Sequence, residues 1–332
     1  MQIFFLVAGF FGAMLFFERS PIMMLKNRIS RVVLPFIVFV LLLWPTIMFG
    51  FAYTNYIFDG VPNALGETQK AFTPNGAFVP KGTFHLWFLY YLSLITFTSV
   101  GLGLVFNRLP VVTSSITKAF EWIIQKPMIR IFVFGALSAG VYMIMGTWSV
   151  ATSTSWMPDF NTFIYYMTFY LVGWVLFKSK HLLGEIMKYD WLCTLFGIGL
   201  FSIHFFMKDS FDYYEHIILK SVMVWLLIFG ITGLFLRYAS NHSQVMRYVS
   251  DSSYWVYLVH LTLTAIIPSM IVDWPIPSTL KFLTVLTVTG VFCFATYHYF
   301  VRATFIGQFL NGRKYSRKIK DIQSVEQVKK AA

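Results

Sequence analysis

Charge is scarce in this chain. Only 12% of its 332 residues are Asp, Glu, Lys or Arg, and the acidic ones number 14 against 26 basic. With 57% hydrophobic residues, a soluble domain of this length is excluded. Cysteine is also scarce: Cys193 and Cys293 each sit inside an apolar run, which supports neither a disulfide framework nor a metal site. The sequence has no phosphate-cradling glycine loop, nucleophile elbow, metal-ligand cluster or dinucleotide fingerprint. It lacks the charged start and small-residue cleavage site of a secretory signal, and the inverted repeat that many transporters carry. The net charge of +12 does not point to nucleic acid, because the basic residues fall between apolar runs and not in a patch interleaved with aromatics.

What remains is apolar and long. Windows near 2–17, 33–53, 84–106, 131–150, 162–177, 190–207, 217–236, 254–271 and 280–301 are each long enough to cross hydrocarbon as helix. The predicted fold is an all-α polytopic transmembrane helix bundle of about nine spans. Residues 1–312 form the membrane domain, and 313–332 a charged cytoplasmic tail, a frayed helix or disordered.

Lys and Arg set the orientation. One set of connections, together with the tail, holds 21 of the 26 basic residues. The other set keeps only Lys70, Lys81, Lys208, Lys220 and Lys281. The C-terminus is therefore expected in the cytoplasm and, with nine spans, the N-terminus outside. The long outer connection from Tyr53 to Thr83 reads as a lid or substrate-facing loop. Glu121 and Trp122, between Pro110 and Pro127, suggest a short amphipathic helix on the cytoplasmic face.

Polar residues at membrane depth are costly and point to function. Arg28 and Arg31, three apart in Arg28-Ile29-Ser30-Arg31, would share one helix face. They read either as positive-inside anchors or as a phosphate-binding pair, for which the planar guanidinium suits better than Lys. His85, with Trp87, opens the third span at the outer boundary. It is either an interfacial histidine beside an aromatic belt or a general base facing an outside hydroxyl. His260 lies six residues into the eighth window, about 9 Å from its cytoplasmic end, and Tyr254, Tyr257 and His260 follow one stripe. His260 reads as an interhelical hydrogen-bond partner or as part of a wet cavity. His204, His216 and His298 are expected to be structural, and Asp190, Asp251 and Asp273, at span ends, to face water.

Five segments resemble the acyltransferase-3 family of membrane enzymes, in order over nearly the whole chain. Met1 to Phe11 resembles its second transmembrane helix. Arg28-Ile29-Ser30-Arg31 followed by Pro35 resembles its R-x-x-R entry to the third. His85-Leu86-Trp87-Phe88-Leu89 and Tyr257-Leu258-Val259-His260 are similar to its H-L-W-F-L and Y-L-V-H, and Gly307 to Gly312 to its closing loop. The likeness is closest to the branch called glucans biosynthesis protein C, which adds succinyl groups to periplasmic glucans.

The resemblance implies ten helices in a bacterial inner membrane and transfer of an acyl group, succinyl or acetyl, from a cytoplasmic acyl-CoA to an extracytoplasmic glycan hydroxyl. No bound cofactor or metal is implied. Arg28 and Arg31 would bind the donor, with Tyr257 and Trp87 as further substrate contacts and His85 and His260 as catalytic groups. One departure is plain. The family's first helix carries a basic residue and, eleven positions on, a histidine to which the resemblance gives the main catalytic role; none of the seven histidines here fits that spacing, so that residue is not among those named here. Either such a helix lies before Met1, the reading adopted, or the copy is degenerate. The rivals are a transporter or flippase for a lipid-linked glycan and an inactive family member.

Overall fold

The computed structural model describes residues 1–72, 78–241 and 243–318. They form helices and connections, with no strand among them. The chain runs through α1 (Gln2–Glu18), α2 (Pro21–Arg28), a π-helical turn Ile29–Val33, α3 (Leu34–Phe58) and α4 (Ala64–Ala71). After a 3-10 turn at Phe84–Leu86 come α5 (Trp87–Asn107), α6 (Pro110–Ile124), α7 (Pro127–Met145) and α8 (Phe160–Lys178). The rest is α9 (Leu183–Ile186), α10 (Asp190–Met207), α11 (Tyr213–Tyr238), α12 (Gln244–Met270), α13 (Ser278–Thr296) and α14 (Phe305–Asn311). Local chemistry sets many of the boundaries. Pro opens α6 and α7, where its missing N–H costs nothing. Asp159 caps α8, and Asp212 with Glu215 forms a capping box on α11.

Each expected window falls on a helix, although 131–150 overruns α7 by five residues, and the span count is smaller than nine. Seven helical segments among the described residues are long and apolar enough to cross a membrane. The first window is α1, whose 17 residues reach only about 25 Å. The eighth lies within α12, which is long enough but carries Arg247, Asp251 and three serines before its apolar part.

The helices divide into two units. The first comprises residues 1–28, 91–153 and 157–241. Here α1 packs on α8, and α11 on α7 and α10. The α1–α8 approach is close enough to require glycine: a Cβ on Gly173 would lie 1.9 Å from the Leu6 carbonyl oxygen, and one on Gly9 2.0 Å from that of Tyr170. Around Trp225, fully buried, stack Phe134 and Phe169, and its indole N–H donates to Ser138 at 2.8 Å. Arg130, with no exposed surface, donates to the carbonyls of Glu185 and Lys188. Asp190 does not face water: it is 3% exposed and paired with Arg237 at 2.6 Å. The buried carboxylate is retained because Arg237, on the following helix, pairs with it.

The second unit comprises residues 29–90, 154–156 and 242–332. Here α12 packs on α3 and α13, and the Thr54 hydroxyl donates to the Ala265 carbonyl. Asp251 is also buried, paired with Arg247 at 3.2 Å, while Asp273 is exposed as expected. Residues 313–318 are irregular and docked: Tyr315 N–H donates to Arg302 O, and Arg302 Nε to Ser316 O at 2.7 Å. The remainder of the expected tail, 319–332, lies outside the described residues.

Candidate functional site

The second unit gathers the polar stripe of α12. Tyr254, Tyr257 and His260 succeed one another at single-turn spacing, and each meets a different partner. The Tyr254 hydroxyl donates to the Arg31 carbonyl at 3.0 Å. That carbonyl needs an outside donor because residue 35, four positions on, is Pro and has no N–H. The Tyr257 hydroxyl donates to the His85 carbonyl at 2.6 Å. The His260 ring lies edge-on to that of His85, centroids 5.2 Å apart at 89°.

His85 is presented by a strained turn. Phe84 has φ of +45°, a left-handed conformation unfavourable for a bulky side chain. The surroundings impose it: the N–H of Thr83 donates to Thr154 O at 2.7 Å, and the Phe84 ring packs on Trp44, centroids 4.6 Å apart. The turn then places His85 Nε2 2.9 Å from the Leu258 carbonyl. A carbonyl can only accept, so Nε2 carries the proton and Nδ1 the lone pair. Nδ1 is buried and without a hydrogen-bond partner among the described residues. His260 is fixed in the opposite tautomer, its Nδ1 donating to Tyr257 O at 2.7 Å and leaving the lone pair on Nε2. Two imidazoles thus stand together, each oriented by the backbone hydrogen bond of one ring nitrogen. On the α3 side of His85 the packing with Val40, Leu43 and Trp44 leaves no water-sized space.

His260 lies six residues past the start of its apolar window and sixteen residues from the start of α12 at Gln244, about 24 Å along the helix. The hydropathy window stopped where the polar first turns of α12 begin.

The two arginines have separate surroundings. In the first unit Arg28 Nη2 donates to the Ala8 carbonyl at 3.2 Å, and its Nε is buried without a partner among the described residues. In the second unit Arg31 Nη1 donates to the Gln308 and Phe309 carbonyls at 2.9 and 3.1 Å, near the C-terminal end of α14. The helix ends at Gly312, φ +87°, where a Cβ would sit 2.1 Å from Arg31 Nη2. Trp87 is 6% exposed, so its indole is packed inside the protein.

Sequence reasoning passed over a second histidine pair. In the first unit His216, 6% exposed, stacks on Trp148 at 4.1 Å and lies 3.2 Å from His204. Lys220 covers the same indole at 4.1 Å. Among the described residues, no group of three or more metal-ligating side chains converges.

A family profile described as an acyltransferase domain, acyltransferase-3, matches residues 1–298. Glucans biosynthesis protein C of Salmonella heidelberg is 24% identical over 272 residues, spanning 80% of this chain and 69% of the relative. The proteins of the same name from Salmonella typhi and Salmonella paratyphi B are 24% and 25% identical over the same coverage. No solved structure matches the chain significantly.

Proposed function

Because the chain belongs to the acyltransferase-3 family, we propose that this multi-pass membrane acyltransferase moves an acyl group from a cytoplasmic acyl-CoA to a hydroxyl of an extracytoplasmic glycan. The acyl group is succinyl or acetyl, and the membrane a bacterial inner membrane with the C-terminus in the cytoplasm. The glycan acceptor is supported by the relatives' name, and the orientation by the distribution of Lys and Arg.

The observation that carries this reading is the buried, unpartnered Nδ1 of His85. A buried acceptor without a donor costs about 1–3 kcal/mol. It is tolerated where a substrate group supplies the missing hydrogen, and an acceptor hydroxyl does so. In the step proposed, the hydroxyl oxygen bonds to the acyl carbon while its proton passes to Nδ1. The carbon–sulfur bond breaks, and the CoA thiolate leaves with a proton as free thiol. His260 stands edge to face with His85 as the second imidazole of the site, and Tyr257 is a positioning residue that holds the His85 main chain. The R-x-x-R segment, Arg28 and Arg31, serves the donor phosphates. A guanidinium carries five N–H donors, so the backbone bonds of Arg31 leave others for phosphate.

The donor assignment is tested by acyl-CoA binding to purified protein. Arg31→Leu, and separately Arg28→Leu, should weaken binding at least about tenfold, as expected for one lost charge-assisted contact. Both variants should still insert in the membrane. Unaltered binding in both sinks the assignment.

A further inference from the structure

The first unit contains a groove that the transfer chemistry does not use. A cavity of about 190 Å³ lies between α1, α5, α6 and α8, walled by Phe17, Leu102, Phe106, Ile116 and Trp174. It shares Phe106, Asn107 and Lys178 with a vestibule of about 510 Å³, where Lys118 and Ser114 stand. The inner part is hydrocarbon-like and the outer part cationic. No carboxylate lines either.

We propose that this groove binds an anionic glycerophospholipid, with one acyl chain in the slot and the phosphate between Lys118 and Lys178. Three observations favour that occupant. The slot is continuous with a lipid-facing surface: Leu104, Val105 and Phe106, on the same helix, are 48%, 57% and 38% exposed. The walls are mostly apolar, with Ser99, Asn107, Thr113, Thr117 and Lys178 as the polar lining residues, and an empty slot forfeits dispersion contacts that a chain restores. The mouth selects charge. The Lys178 ammonium is fixed 4.6 Å over the Phe17 ring, at the edge of the slot, and Lys118 adds a second cation one helix away. Finally, α6 has the character of a helix lying at a membrane interface. It exposes Val111, Ile116 and Trp122 alongside Lys118, and Lys126 stacks over Trp122 at 4.0 Å. These cations belong to the basic set of connections, the set expected at the cytoplasmic leaflet, whose surface is anionic.

The test uses the whole chain in phosphatidylcholine vesicles containing traces of phosphatidylglycerol with a photoactivatable diazirine on one acyl chain. Adducts are located by peptide mass spectrometry. The expected result is labelling within 99–117 and 171–175. It should fall at least about fivefold in Lys118→Gln/Lys178→Gln, the factor supported by one lysine beside an anionic headgroup. A phosphatidylcholine probe of the same chain should label the groove weakly and ignore the lysines. Leu171→Trp, which plugs the slot, should abolish labelling there while leaving other adducts in place. Equal labelling by the two probes, or labelling insensitive to the lysines, overturns the proposal and leaves ordinary boundary lipid. Displacement of the probe by micromolar acyl-CoA assigns the groove to the acyl donor instead, and also overturns it.

Discussion

The imidazoles of His85 and His260 stand edge to face, their centroids 5.2 Å apart. Each has one ring nitrogen on a backbone carbonyl, and the proposed transfer assigns the proton to His85. In His85→Gln the side-chain amide still donates to Leu258 O but cannot take a proton. Acyl transfer should drop by about 10²- to 10⁴-fold with the amount of inserted protein unchanged. His260→Gln should cost less. A larger loss in the His260 variant would make that ring the base.

Tyr254 and Tyr257 make the same bond to different carbonyls. Tyr254→Phe leaves the Arg31 carbonyl unsatisfied beside Pro35, a loss of about 1–3 kcal/mol in stability. Its kinetic effect should fall on KM for acyl-CoA. Tyr257→Phe releases the His85 main chain and should act on kcat. Steady-state kinetics of the two variants, with thermal denaturation alongside, separates the roles. The same kinetic change in both would remove the distinction.

Gly312 is where the closing turn meets the R-x-x-R segment. At φ +87° an alanine is strained, and its Cβ would collide with Arg31 Nη2. Gly312→Ala should destabilise the protein by at least about 1 kcal/mol and weaken acyl-CoA binding as Arg31→Leu does. Binding at the wild-type level would show that Arg31 serves only to cap α14.

Two glycines of the first unit make a matched pair. Gly173→Ala drives a methyl into the Leu6 carbonyl at 1.9 Å and should cost about 1–3 kcal/mol or prevent folding. At Gly135 the nearest atom to an added Cβ is 3.7 Å away, so Gly135→Ala should be neutral or stabilising. Melting temperatures in detergent decide, and an equal loss in both would contradict the close α1–α8 packing.

Hydropathy made the helices legible, because apolar length is a property of consecutive residues. Partners are not. Arg130 and Asp190 were read as topology signal and solvated end, yet Arg130 is fully buried on two carbonyls and Asp190 on Arg237. Their acceptors and donors lie 47 to 58 residues away in sequence, beyond any window. The stripe on α12 was visible as three-residue spacing, but its depth was not, since the polar start of the helix carries no hydropathy. The docking of Tyr315 on Arg302 was hidden for the same reason. His85 was legible as a candidate, whereas the left-handed Phe84 that aims it leaves no trace in composition.

The central claim is transfer from acyl-CoA, and the most direct measurement follows the label. Inverted membrane vesicles carrying the protein, with glucan enclosed, are given radiolabelled succinyl-CoA or acetyl-CoA from outside. The account predicts label bound covalently to the enclosed glucan, dependent on the wild-type protein and lost in His85→Gln. Unlabelled glucan, or equal label with His85→Gln, would contradict it. Movement of a lipid-linked glycan across the same vesicles without acyl-CoA would identify a transporter in place of an acyltransferase.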